Sequence, residues 1–525
     1  MSEKKGSRTY WFLPSISDVI FVTIIAIILT GEGNLLGDAD TGYHIRAGEY
    51  IIDNLKVPHH DMFSFIKPPI PWTAHEWLSE VIYASVHRLS GLSGIVVGHA
   101  LVIATVFLLL FKFMRSSGIS ILVAALLVAL AVSVSTIHWL ARPHIFSLFF
   151  TLVWYIILDT YQYKKKNYLY ILPILMLVWV NLHGGFLAGF LLFGVYITGN
   201  LLNAIFKKEE RHEARGRLRV LLLFTALTLV ASLLNPKGYD ILLFPFRLMA
   251  NKFIMDHVNE FLSPDFHTAL RYEYMLLLMI VIFGISKLRL NPIEAMLVLL
   301  FTHMSLYSAR YIPLYAVILC PMIGKRIDYL LEELREKKLV KRFLGISERA
   351  ERTDSMIRWN LWSLLAIAFS VGLLFTGRVE FGFDEKNLPV DAVKFMQKQK
   401  IPGHMFNNDE FGDYIIYAAW PDYKVFFDGR SDMYGVDRIK EYFKVTLIER
   451  GWDEVLSKYD INWFIYPAKS ALSTFLLQRD DWKLIYADRV ANIFVKNTAA
   501  NQYLILRYPN VKPVIVDEEE EEEND

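Results

Sequence analysis

Residues 37–80 read GDADTGYHIRAGEYIIDNLKVPHHDMFSFIKPPIPWTAHEWLSE. The stretch lies between the first two strongly apolar segments. It gathers Asp38, Asp40, His44, His59, His60, Asp61, His75 and Glu76, interleaved with Tyr43, Tyr50, Phe63, Phe65, Trp72 and Trp77. A connection that only crossed between two membrane helices would need a handful of ordinary polar residues. This one is long and rich in titratable groups, so it reads as a catalytic loop that the rest of the chain holds or feeds.

Working outward, 54% of the 525 residues are apolar, too many for an ordinary soluble protein. Apolar runs recur at close to the ~20 residues that cross a bilayer core as a helix. They predict eleven membrane helices, over residues 11–31, 93–114, 118–139, 143–162, 168–183, 185–206, 218–234, 272–286, 291–308, 311–324 and 359–376. The net charge of +1 offers no global field for nucleic acid. The single cysteine, Cys320, excludes an internal disulfide framework. Lys4, Lys5 and Arg8 precede the first apolar run, but no small-residue cleavage site follows it, so that run is expected to stay as an anchor.

Basic residues mark alternate connections: Lys4/Lys5/Arg8, Lys112/Arg115, Lys164–Lys166, Lys207–Arg219, Lys287/Arg289 and the stretch Lys325–Arg358. The positive-inside rule makes this set cytoplasmic. The N-terminus is then inside, and residues 37–80 and the C-terminus are outside, as expected for a bacterial-type plasma membrane.

The expected organisation is therefore a multi-spanning membrane domain over 1–376, holding the first outside loop (32–92) and a charged cytoplasmic linker (325–358). An extracytoplasmic α/β domain follows over 377–510, then an acidic tail over 511–525. The linker carries apolar residues at helical spacing among mixed charge, which suits an amphipathic helix on the inner leaflet. Residues 238–271 suit an interfacial helix and loop on the outside. In the α/β domain LPVDAVKFMQKQ, VDRIKEYFKVTLIER and Ala471–Leu477 read as helices, and YKVFFDGR, INWFIYP, WKLIYAD and NIFVKN as strands. Six consecutive glutamates in Asp517–Asp525 predict disorder through self-repulsion.

The unusual polar residues gather at the outer ends: Asp38, Asp40, His44, His75, Glu76, His138, Arg142, His144, Asn181, His183, Asn235, Lys237 and Arg310. A transporter would be expected to keep its polar groups near the bilayer midplane. A site at one interface fits an enzyme with a lipid-borne substrate instead. Asp38 and Asp40 share a face if the backbone is extended. If a helix begins near Asp40, that residue becomes an N-cap and His44 follows one turn later on the same side. The glycines after His183 allow a close turn that presents Asn181 and His183, or simply a tight helical hairpin. Arg142 opens a helix beside Pro143 and serves equally as an interfacial anchor. Asn235 and Lys237 stand in a turn. Arg310 is alone on the side where positive charge is disfavoured, and its planar fork suits phosphate. Phe427-Asp428-Gly429-Arg430 reads first as a structural Asp–Arg pair at a turn.

These features together resemble the GT-C superfamily of membrane glycosyltransferases, which includes the protein O-mannosyltransferases. The resemblance rests on a first outside loop that opens with a DxD-like motif (Asp38, Asp40), on a multi-spanning core over roughly 11–324, and on an outside C-terminal domain. It implies a polyprenyl-phosphate-linked sugar as donor and transfer at the outer face to an acceptor hydroxyl on a glycan, lipid or protein. The absence of a WWDYG motif argues against en bloc oligosaccharide transfer. On this resemblance Asp38 or Asp40 is the base, and the other orients the acceptor or holds a divalent metal such as magnesium or manganese. His44, His75, Glu76, His144, Asn181, Asn235 and Lys237 are further substrate-binding candidates, and Arg142, His183 and Arg310 are candidates for the phosphate end. A flippase of lipid-linked sugars, and a non-catalytic assembly factor working through its α/β domain, remain as alternatives.

Overall fold

A computed structural model describes residues 12–31, 35–257, 261–357, 360–377 and 380–514. Lys4, Lys5, Arg8, Arg358 and the polyglutamate tail lie outside the described residues. By packing, the chain divides into two compact units: residues 1–35 with 93–380, and residues 36–92 with 381–525.

The first unit is helical, and a helix occupies each of the eleven apolar segments, from Ile16–Leu29 to Leu361–Leu374. By length and composition, four helices among the described residues are long and apolar enough to cross a membrane: Trp77–Ser116, Ile121–His138, His144–Lys164 and Gly184–Phe206. Ile16–Leu29, Leu169–Leu182, Pro292–Tyr307 and Leu361–Leu374 are shorter apolar helices. The chain is an integral membrane protein. Trp77–Ser116 is broken at Ser90 and Gly91, where Gly91 adopts a φ of 62° that costs a residue without a Cβ little. The break falls where the chain passes from one unit to the other.

Polar side chains fasten this bundle. Asp18 caps its own helix with Ser15 and also accepts hydrogen bonds from the Ser363 N–H (3.0 Å) and Oγ (2.6 Å), joining the helices Ile16–Leu29 and Leu361–Leu374. Arg326, buried, donates to the carbonyls of Leu288, Arg289 and Met322 and to Glu294 Oε2 (2.8 Å). The helix that begins at Ile312 runs on to Glu333, well into the expected cytoplasmic linker, and Lys338–Ser355 forms a second charged helix there.

The second unit combines residues 36–92 with the C-terminal α/β domain. Its sheet has four strands, β1 (His404–Asn407), β2 (Ile461–Pro467), β3 (Trp482–Ala487) and β4 (Ala491–Lys496), in the order β1-β2-β4-β3. β1 runs parallel to β2, and the other two pairings are antiparallel. Trp463, Phe464, Ile465, Ile493, Phe494 and Val495 make its buried centre. The expected strand YKVFFDGR is not part of this sheet. Val425 instead forms an isolated parallel bridge with Ser64, and its backbone exchanges hydrogen bonds with Phe63 and Phe65, so the segment pairs with the loop after helix Asp40–Asn54. Helix Asp40–Asn54 packs on helix Asp409–Ala419, with Gly42 lying directly against Asp413 and Tyr417. On another side Gly48 meets the Glu80 backbone. Any side chain at either glycine would force the helices apart.

Candidate active site

Helix Asp40–Asn54 begins at Asp40 because the chain turns there rather than running on as a strand. Ala39 is in the right-handed helical region, with φ −82° and ψ −9°. Asp38 Oδ1 accepts the Asp40 N–H at 2.7 Å, satisfying one of the amides that a helix start leaves open. The extended arrangement, with both carboxylates on one face, does not occur. Nor is Asp40 the N-cap: Ala39 takes that position, and Asp40 is the first helical residue.

Asp40 is buried and meets a group supplied by the α/β part of the same unit. A β-carbon at Gly429 would stand 2.5 Å from Asp40 Oδ1 and 2.8 Å from Asp413 Oδ2, so both carboxylates crowd the same backbone atom. The Gly429 N–H donates to Asp413 Oδ2 at 2.9 Å. Asp413 Oδ1 is buried with no hydrogen-bond partner among the described residues. Burial, and then the charges of Asp40, Asp428 and Asp38, push the Asp413 carboxyl well above the ordinary carboxylate range, although the Gly429 N–H opposes them. Like carboxylates this close do not both ionise readily.

Next to this pair stands a fully buried ion network. Arg430 Nη2 bonds Asp61 Oδ1 and Asp428 Oδ2, each at 2.7 Å, and its Nε bonds Asp428 Oδ1 at 2.8 Å. Tyr434 donates to Asp428 Oδ2 at 2.7 Å. The guanidinium carbon lies 4.5, 4.8 and 5.9 Å from the ring centres of Trp72, Phe63 and Tyr43. Burial works against the Asp61 charge, but Arg430 and hydrogen bonds from Ser64 and the Phe63 N–H hold its pKa below the usual value. The structural Asp428–Arg430 pair is present, and it reaches further than expected, to Asp61 in the loop after helix Asp40–Asn54. Removing one partner of such a buried network costs about 3–5 kcal/mol.

Two histidines of the stretch 37–80 stand near carboxylates. His44 Nδ1 is 3.9 Å from Glu80 Oε1, both groups being buried, and His75 Nε2 is 3.7 Å from Glu76 Oε1. Asp38, Asp40, His44, His75 and Glu76 thus all belong to the second unit.

The remaining candidates belong to the first unit. His183 Nδ1 accepts from Ser147 Oγ (2.7 Å) and from the Gly185 N–H (3.0 Å), while Ser147 Oγ accepts from Trp179 Nε1 (2.8 Å). With Nδ1 filled as an acceptor, a neutral His183 carries its proton on Nε2. His144 Nε2 bonds the His138 carbonyl at 2.9 Å. Asn181 donates to the carbonyls of Leu177 and Leu234, and Asn235 donates to that of Val180 and to Asn181 Oδ1, so the two amides lock two helix ends together. Arg142 opens the His144–Lys164 helix, its N–H on the Leu140 carbonyl. Lys237 Nζ lies 3.9 Å from the centre of the Phe244 ring, and Arg310 lies 5.0 Å from that of Phe261.

Among the described residues no three or more His, Cys, Asp or Glu side chains are arranged to hold a metal ion. One Asp38 oxygen is also engaged by the Asp40 amide. Asp38 and Asp40 stay as the candidates for holding a divalent metal. Sequence reasoning did not single out Asp413 or Glu80. The usable signal for Asp413 was a lone acid inside the apolar helical run FGDYIIYAAW.

No family model matches the sequence, and no curated protein matches it. Solved structures do. The Archaeoglobus fulgidus oligosaccharyltransferase in its apo form superposes with a TM-score of 0.54 at 11% identity, covering 95% of this chain and 75% of that one. The oligosaccharyltransferase AglB of the same organism, in complex with an inhibitory peptide and a dolichol-phosphate, gives 0.53 at 12%, covering 86% and 69%. ArnT from Cupriavidus metallidurans, bound to undecaprenyl phosphate, gives 0.46 at 13%, covering 92% and 98%. The chain shares the fold of the two oligosaccharyltransferase structures.

Proposed function

We propose that this protein is a membrane glycosyltransferase that moves a sugar from a polyprenyl-phosphate-linked donor to an acceptor hydroxyl at the outer face of the membrane. The observation that carries the reading is the buried Asp40 carboxylate at the start of the loop helix, flanked by Asp413 and Gly429. The fold supports it, since one of its solved examples is an oligosaccharyltransferase that holds a dolichol-phosphate.

In the proposed reaction Asp40 takes the proton of the acceptor hydroxyl as that oxygen bonds to the anomeric carbon. The bond from the anomeric carbon to the lipid phosphate oxygen breaks, and its electron pair leaves with the phosphate. Attack opposite the leaving group inverts the anomeric centre. The sugar gains oxocarbenium character in between, and a carboxylate nearby stabilises that charge. A protonated Asp413 spares Asp40 a like charge at its side. The departing phosphate needs cations rather than an acid, and Arg142 and Arg310 of the membrane unit are proposed for it, with the His183 Nε2–H as a further donor. The basic connections face the cytoplasm in this reading, and the α/β domain faces outside.

The test is transfer by the purified full chain from short-chain polyprenyl-phosphate hexoses to a panel of glycan, lipid and peptide hydroxyl acceptors, with the product anomer read by NMR. An inverted glycoside supports the reading. A retained anomer, or no turnover with any donor, counts against it.

A further inference from the structure

We infer that Arg430 is a positioning residue for Asp40, tying the outside loop to the α/β domain so that Gly429 is set flush against the Asp40 carboxylate. The inference rests on the glycosyltransferase reading, but its geometry stands apart from it. Arg430 follows Gly429, the residue whose backbone touches both Asp40 and Asp413. From that place its guanidinium reaches Asp61, between the loop helix and the membrane span, and Asp428, two residues before it in sequence. It also lies over Tyr43, less than one helical turn past Asp40 on the same helix, and against Phe63 and Trp72.

One planar group therefore fixes three things at once: the loop through Asp61, the FDGR turn through Asp428, and the helix of Asp40 through Tyr43. The fork geometry is needed for this, because one nitrogen, Nη2, serves both carboxylates while Nε holds the second Asp428 oxygen. A lysine at this position presents a single ammonium and cannot span the same set. A network that served stability alone would be replaceable by apolar side chains of similar volume. Here the arginine is one peptide bond from the atom that limits where the Asp40 oxygens can lie.

The chain also shows why the tie is required. The loop and the α/β domain are separated in sequence by almost all of the membrane helices, and they meet as one unit through Val425–Ser64, Gly42–Asp413 and Arg430–Asp61. The last two both adjoin the Gly429 contact with Asp40, and of these Arg430 is the residue joined directly to Gly429 in the chain. An error of about 1 Å in placing a catalytic group costs on the order of 100-fold in rate.

The experiment uses full-length Arg430→Lys and, as a milder change, Asp61→Asn, which keeps size and one hydrogen-bonding oxygen. Three quantities are read: melting temperature, kcat and KM on a farnesyl-phosphate hexose that wild type accepts, and carbodiimide modification of Asp40 by peptide mass spectrometry. The expected result is folded protein, kcat reduced about 10- to 100-fold, donor KM within about twofold, and several-fold faster modification of Asp40. Should Arg430→Lys fail to fold, Asp61→Asn decides. The inference is overturned by a folded variant with wild-type kcat and wild-type Asp40 modification, by a loss confined to KM, or by unfolding of both variants. A wild type that transfers no sugar would remove the glycosyltransferase reading, while the Asp40 modification rates would still test the positioning role.

Discussion

Gly429 and Asp40 lie so close that the space between them admits no methyl group: a β-carbon on Gly429 would stand 2.5 Å from Asp40 Oδ1. Gly429 is not in the left-handed backbone region, so alanine there brings steric crowding without backbone strain. Gly429→Ala should therefore displace the Asp40 and Asp413 carboxylates and lower kcat by about 10- to 100-fold. The melting temperature should fall only modestly. Wild-type kcat for a folded Gly429→Ala protein would mean that the acid has freedom the packing denies it.

The pH dependence of stability should carry the signature of Asp413. Burial and the charges of Asp40, Asp428 and Asp38 raise its folded pKa above the ordinary 3.8. A carboxyl with a raised folded pKa holds its proton more tightly when folded, so stability falls as pH rises from the unfolded value toward the folded one. Asp413→Asn removes this loss and keeps an oxygen for the Gly429 N–H. Melting curves of the two proteins should coincide below about pH 4 and diverge above it, with the asparagine variant the more stable at neutral pH. A difference independent of pH would show that Asp413 does not titrate between the two states.

Arg310 separates anchoring from phosphate binding. Its guanidinium lies 5.0 Å from the Phe261 ring centre, a contact that a lysine can also make. If it served only that contact, Arg310→Lys would behave as wild type. A phosphate ligand loses its bidentate geometry in lysine, and charge-assisted bonds of that kind are worth roughly 1.5–3 kcal/mol, or about one to two powers of ten in donor affinity. Titration of a farnesyl-phosphate hexose should show that loss in Arg310→Lys and a larger one in Arg310→Ala. Unchanged kinetics would shift attention to Arg142 and Lys237.

Reporter fusions test the orientation drawn from alternating basic connections. A fusion after residue 214 should report cytoplasm, and one at residue 400 the outside. Both on one side would mean a wrong number of crossings.

The apolar helices were legible in the sequence because their runs are long and nearly free of charge. The stretch 37–80 was legible for its density of acids, histidines and aromatics. What escaped is long-range. YKVFFDGR has the composition of a strand, but its partner is the loop around Ser64, most of the chain away in sequence. β1, only four residues long, has no periodicity to read. Asp38 and Asp40 allowed an extended or a helical reading, and the helix prevails because Asp38 itself holds the Asp40 amide. Asp413 looks unremarkable in a line of text, and gains meaning only where Gly429 brings it beside Asp40.

The central claim, that Asp40 is the base of a sugar transfer, is tested most directly by comparing Asp40→Asn with Asp38→Asn in that transfer. Asparagine at position 38 still offers an oxygen to the Asp40 N–H, so the helix start survives and substantial turnover should remain. Asparagine at position 40 has nearly the same shape and cannot accept the acceptor's proton, so turnover from the polyprenyl-phosphate donor should fall by about 100-fold or more, with the melting temperature close to wild type. Wild-type turnover by a folded Asp40→Asn protein would contradict the account.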